Sequence, residues 1–305
     1  MQNNQIDKRM PVDYDHLISQ EEYSQLVDIV LQYFIDKGED VIKLEDAVLT
    51  VKDEQGKELK YGFDNLVRFL VNEDKGNWES VIYSHFNKTN FNDAAYKYFF
   101  KDYEEAKQYL RFLVKDEGFL SSDYGKDLVY KTDFPGTVSL LVFDYDNQFR
   151  FIKQDEIEEW GKTEAELFGD AVANIANEDI EIRQAEYENG VEIFMVSSGD
   201  FAASFIVNIA QNLEIAIGKF GSVIAIPAKG TVIASPINDT NPINRVELLG
   251  EAVSKIFEEE PGNISADFYW FYEGKFTIFP KTASDNDGYS TVFIPEELAE
   301  LLKQA

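Results

Sequence analysis

Residues 221–236 read GSVIAIPAKGTVIASP, two apolar runs joined by Pro-Ala-Lys-Gly in a chain whose formal net charge is −29. VIAI and TVIAS are short and rich in β-branched residues, and a glycine follows the lysine, so the stretch reads as a β-hairpin. A strand buried on both faces excludes charge, because desolvating a charge is costly. Pro227 and Gly230 are assigned to the turn. Lys229 is then the residue to explain, either as a solvated loop tip or as a contact to a carboxylate on the acidic segment or on a partner.

The same arrangement recurs on both sides. TEAELFGDAVANIANE (163–178) has helical spacing and precedes IEIRQAEYENGVEIFMVSS (180–198), a hairpin turning at Asn189-Gly190. FAASFIVNIAQNLEIAIG (201–218) reads as the helix leading into the opening hairpin. INRVELLGEAVSKIFEE (243–259) is a helix before ADFYWFYEGKFTIFP (266–280), which turns at Glu273-Gly274. Three helix–hairpin units follow at roughly forty-residue spacing, and residues 21–60 resemble a fourth. The expectation is an α+β fold, an antiparallel sheet built from successive αββ units with helices packed on a sheet face.

Nearer the N-terminus, EEYSQLVDIVLQYFID (21–36) is amphipathic and Gly38 follows as a stop. Residues 40–63 read as strands turning at Gln55-Gly56. Helices are expected over 63–73, 78–86 and 94–118. FLSSDYGKD (119–127) breaks the pattern and predicts a boundary between a helix-rich α+β domain, 1–119, and a second α+β domain, 120–305. Within the latter, 138–152 reads as a hairpin turning near Asp146-Asn147. ASDNDGY (283–289) is a loop, and STVFIPEELAELLKQ (290–304) a closing strand and helix.

Across 305 residues, 44% hydrophobic and 14% aromatic content supply enough apolar surface for a folded core. The chain has no cysteine, so disulfides and thiol chemistry are excluded, and a reducing compartment fits. No apolar run resembles a signal peptide or a membrane span, which predicts a soluble, cytoplasmic protein. So negative a chain repels nucleic acid and anionic lipid. What survives is solubility, attraction to a basic protein, or mimicry of nucleic acid. The charge is uneven. Residues 151–200 set fourteen carboxylates against Lys153, Lys162 and Arg183, whereas 201–250 balance Glu214, Asp239 and Glu247 with Lys219, Lys229 and Arg245.

Chemical motifs are scarce. His16 and His85 lack HxxH or HExxH neighbours, and Asp285-Asn286-Asp287-Gly288 lacks the first and last ligands of a calcium loop. Gly218-Lys219 has neither the upstream glycine nor the following hydroxyl of a phosphate loop. Ser198-Gly199-Asp200 reads as a helix start; Asp200 itself would oppose an anion there. No catalytic, metal or cofactor residue is assigned. In FYWFYEGKF (268–276), Tyr269 and Phe271 face one side of a strand and Phe268, Trp270 and Tyr272 the other. Either both faces are covered or one row is a contact surface.

AVANIA (171–176), FMVSSGDFAASFIVN (194–208) and VIAIPAKG (223–230) together resemble the YtpQ-like family of bacterial proteins, a domain of unknown function, over residues 125–281. The family pattern of Ile-Pro, a small residue and a basic one falls on Ile226, Pro227, Ala228 and Lys229. Gly230 departs from it, standing where an acidic residue often follows. The resemblance implies a domain type and brings no activity, cofactor or catalytic residue.

The functional expectation is a non-enzymatic interaction module binding another protein through its sheet or hairpin tips. Candidate contact residues are Lys229, Pro227, Asp200, Arg245, Tyr269 and Tyr272. One alternative is an acidic inhibitor or immunity-type protein binding a basic partner through residues near 151–200. The other is a carboxylate-based enzyme assisted by Mg²⁺ or Mn²⁺, which needs clustered, buried Asp or Glu.

Overall fold

Ser19 starts the first long helix. Its hydroxyl accepts from the Glu22 N–H at 3.3 Å while the Glu22 carboxylate accepts from the Ser19 N–H at 2.7 Å, a reciprocal cap that satisfies two otherwise free donors. This and all following geometry come from a computed structural model that describes residues 5–52, 56, 58–89, 100–121, 125–145, 148–187, 190–282 and 291–304. The chain divides into two compact units, 1–91 with 259–261, and 92–258 with 262–305.

In the first unit, α1 (Gln20–Asp36) buries Tyr23, Leu26, Val27, Val30, Tyr33 and Phe34, as its spacing predicts. Strands β1 (Gln5–Ile6), β2 (Asp40–Glu45), β3 (Val48–Lys52) and β4 (Glu58–Gly62) form a sheet in that order, followed by α2 (Asp64–Val71) and α3 (Trp78–Thr89). The β2–β3 turn at Asp46-Ala47 was not legible, because two non-glycine residues take positive φ there. Gln55 of the expected second turn lies outside the described residues.

The second unit contains α4 (Tyr103–Ala106), β5 (Leu110–Asp116), β6 (Tyr130–Lys131), β7 (Thr137–Tyr145), β8 (Gln148–Phe151), α5 (Gln154–Ile157) and α6 (Glu164–Ile175). It continues with β9 (Glu181–Glu186), β10 (Glu192–Ser197), α7 (Ala202–Ile206), α8 (Ile209–Asn212), β11 (Ser222–Ala228) and β12 (Thr231–Pro236). The last elements are α9 (Ile243–Glu259), β13 (Phe268–Tyr272), β14 (Lys275–Ile278) and α10 (Glu296–Leu302).

Two expectations fail around residue 110. The helix over 94–118 is instead a strand at its C-terminal end; residues 90–99 lie outside the described set. Leu110, Phe112 and Val114 are buried on one face of β5, while Leu113, between Arg111 and Lys115, is buried on the other and interrupts the alternation that marks a strand. β5 pairs antiparallel with β7 from Leu110↔Phe143 to Asp116↔Thr137. A domain boundary at 119/120 would cut this sheet, and the units instead part at 91/92. The 146–147, 188–189 and 283–290 segments, with their expected turns and loop, lie outside the described residues.

Among the described residues a six-stranded sheet runs β14-β13-β11-β12-β10-β9, antiparallel throughout, and β5, β6, β7 and β8 form a second. Helical residues precede each hairpin, although 201–218 is broken into α7, α8 and a 3₁₀ turn at Glu214–Ala216. Val246, Leu249 and Val253 of α9, with Leu298 of α10, cover Val223, Ala225, Ile233, Phe268 and Trp270 on one sheet face. On the other face Tyr269 meets the Phe134 ring, and its hydroxyl donates to the Pro135 carbonyl at 3.2 Å. Both faces are therefore covered, and the fold is α+β.

Candidate functional site

The lysine at the opening hairpin is not a solvated tip. Lys229 Nζ forms an ion pair with Asp200 Oδ1, and both side chains are more than half buried. The Lys229 N–H donates to the Gly262 carbonyl at 2.9 Å and its carbonyl accepts from the Ala203 N–H at 3.1 Å. A Cβ on Gly262, which has φ +73°, would stand 2.7 Å from the lysine stem. Gly230 is needed for close approach, since a Cβ there would lie 2.6 Å from the Ser198 carbonyl oxygen.

Asp200 follows β10, so this pair fastens one end of the β9–β10 hairpin. The start of β9, which pairs with that end of β10 at Glu181↔Ser197, is fastened too, where Arg111 Nε donates to Glu178 Oε1 at 2.6 Å. Asp144 of β7 feels both anchors. Burial pushes its carboxyl up to about 6; the Arg111 charge opposes that shift while Glu178 and Asp200 reinforce it. Three carboxylates thus approach one another, but Glu178 and Asp200 are each matched by a cation. Among the described residues no group of three or more His, Asp or Glu is arranged to hold a metal ion.

Beyond these anchors β10 pairs with β12 inside the sheet and β9 forms its edge. Every residue of β9 is exposed, a pattern no other described strand shows. The Tyr187 N–H donates to the Val191 carbonyl at 3.0 Å, which makes 187↔191 a hydrogen-bonded pair. Alternation then assigns 185↔193, 183↔195 and 181↔197 to the same class. The backbone groups of Ile182, Gln184 and Glu186 accordingly point away from β10, along the free side of an edge strand. Ile182, Tyr187 and Met195 are exposed apolar side chains beside this edge. Glu181, Glu186 and Glu192 flank them; Arg183 is engaged with Glu181 at 2.7 and 3.0 Å.

Of the remaining predicted contact residues, Arg245, Pro227 and Tyr269 are interior. Arg245 is 3% exposed, its Nε donating to the Pro236 carbonyl at 2.9 Å and its guanidinium gripping both Asp239 oxygens at 2.9 and 3.2 Å. Although burial works the other way, Arg245 and the Asn241 N–H hold the Asp239 carboxyl below its usual range. Pro227 is buried at a β-bulge, where its missing N–H is tolerated, and its carbonyl accepts from the Ile264 N–H at 2.9 Å. Tyr269 is fully buried; Tyr272 is half-buried and stacks on Trp270. Arg245, Pro227 and Tyr269 hold the fold together and offer no free surface, whereas Tyr272 keeps part of its side chain exposed.

No known family, curated protein or solved structure matches the chain. Sequence reasoning missed the β9 edge, although EIRQAE carries the signal: charged and apolar residues mix so that neither face is apolar. No described helix is long and apolar enough to cross a membrane.

Proposed function

We propose that this protein is a non-enzymatic binding module that takes an extended, basic segment of another protein as an added strand on β9. The observation that carries the reading is the edge itself, a six-residue strand exposed on both faces with outward backbone groups at Ile182, Gln184 and Glu186. Strand addition supplies affinity through main-chain hydrogen bonds, while side chains on alternate positions supply selection. The partner's charge follows from the surroundings. Fourteen carboxylates against three cations in 151–200 favour lysine- and arginine-rich chains and repel nucleic acid.

The acidic-inhibitor reading is a special case, differing in what the captured partner does. Membership of residues 125–281 in the YtpQ-like family is part of the proposal, and fits a module that brings no catalytic residue. The test is capture from the native host at low and high salt, by wild type and Gln184→Pro. A partner held by wild type at low salt and lost by the variant and at high salt supports the reading. A partner bound equally by both chains contradicts it.

A further inference from the structure

A cavity of about 780 Å³ opens between α9 and the β13–β14 side of the six-stranded sheet, four strands away from β9. Its inner wall is apolar, formed by Ile243, Val246, Phe268, Phe279 and Val292. Glu247 and Glu251 stand on its helix side and Asp267 opposite, where Asp267 is held by Lys281. Glu247 and Glu251 are four residues apart on one helix face, a like-charge spacing that is mutually destabilising. Among the described residues neither has a cationic partner.

Gly250 lies in the same wall, within a 17-residue helix. A Cβ built there meets no atom within 4 Å, so no packing contact demands glycine at a position where it costs about 1 kcal/mol relative to alanine. Its absent side chain leaves the cavity open. Volume, apolar floor and placed carboxylates match the usual composition of a small-molecule site. We infer that this groove binds a small organic cation, an ammonium group carried on an apolar body. The ammonium sits between Glu247 and Glu251, relieving their repulsion, and the apolar body lies on Phe268 and Phe279. This site is independent of the β9 reading, and each can fail without the other.

The test is a titration with phenethylamine followed by amide NMR, with 2-phenylethanol as the uncharged control. The expected result is saturable shifts at Val246, Gly250, Phe268 and Val292 with the amine, and much smaller ones with the alcohol. Glu247→Gln with Glu251→Gln should weaken binding about five-fold, as two exposed charges do. Gly250→Leu, which fills open space and favours helix, should abolish binding without lowering Tm. Gln184→Pro should bind the amine normally. Equal shifts with the alcohol, shifts that do not saturate, or undiminished binding by the Gly250→Leu chain would overturn the inference.

Discussion

Lys229 and Asp200 form an ion pair that joins the tip of one hairpin to the end of the strand before it, with the lysine stem lying over Gly262. The pair ties the segment that follows β10 to the β11–β12 turn, at the base of the β9–β10 hairpin. Lys229→Ala should lower stability by about 1–2 kcal/mol, because it strips a partner from a partly buried carboxylate. Lys229→Met, which keeps the stem, should lose less. Urea unfolding of both chains measures the difference; no loss in either would return Lys229 to a solvated tip.

Gly230→Ala should cost about 1–3 kcal/mol, since the new methyl group meets the Ser198 carbonyl at 2.6 Å and backbone must shift. Thermal unfolding checks this, and protection of the Ser198 N–H, which donates to the Gly230 carbonyl at 3.0 Å, should fall in hydrogen exchange.

Asp144 gives a pH-dependent expectation. Its folded-state pKa, about 6, lies above the unfolded value of about 3.9, so its contribution to stability is complete below pH 4 and is lost as pH rises through 6. Asp144→Asn should match wild type near pH 4 and exceed it above pH 6 by about 1 kcal/mol, well under the full linkage value because the group keeps solvent contact. Unfolding curves for both chains from pH 4 to 8 measure this; a constant difference would mean that Asp144 titrates normally.

Arg245→Met should cost about 2–3 kcal/mol, because the buried guanidinium satisfies the Pro236 carbonyl and Asp239 together. It should not change partner capture once the chain is folded, which separates a structural arginine from a contact one.

Much of the fold was legible because its signals are local. The helix periodicity of 21–36, its stop at Gly38 and the glycine turn at 273–274 act over a few residues. The expected β11–β12 hairpin and the low charge of 221–236 match strands whose every residue is buried. β5 was not legible because Leu113 interrupts the alternation of Leu110, Phe112 and Val114 and, with Ala106 and Leu110, also fits helical spacing. The site was less legible. Charge imbalance pointed to 151–200, but the pairing of Lys229 with Asp200 and of Arg111 with Glu178 spans distances that spacing cannot encode. Tyr269, Pro227 and Arg245 were nominated by type, whereas their roles follow from enclosure by elements distant in sequence.

The most direct test of the binding edge is hydrogen exchange at Ile182, Gln184 and Glu186, with and without an alternating lysine–valine peptide at low salt. The account expects those three amides, exposed in the free chain, to gain protection on peptide addition. The gain should disappear in high salt, and Gln184→Pro should bind the peptide weakly. Unchanged exchange at all three amides, or equal binding by the proline variant, would contradict strand addition at β9.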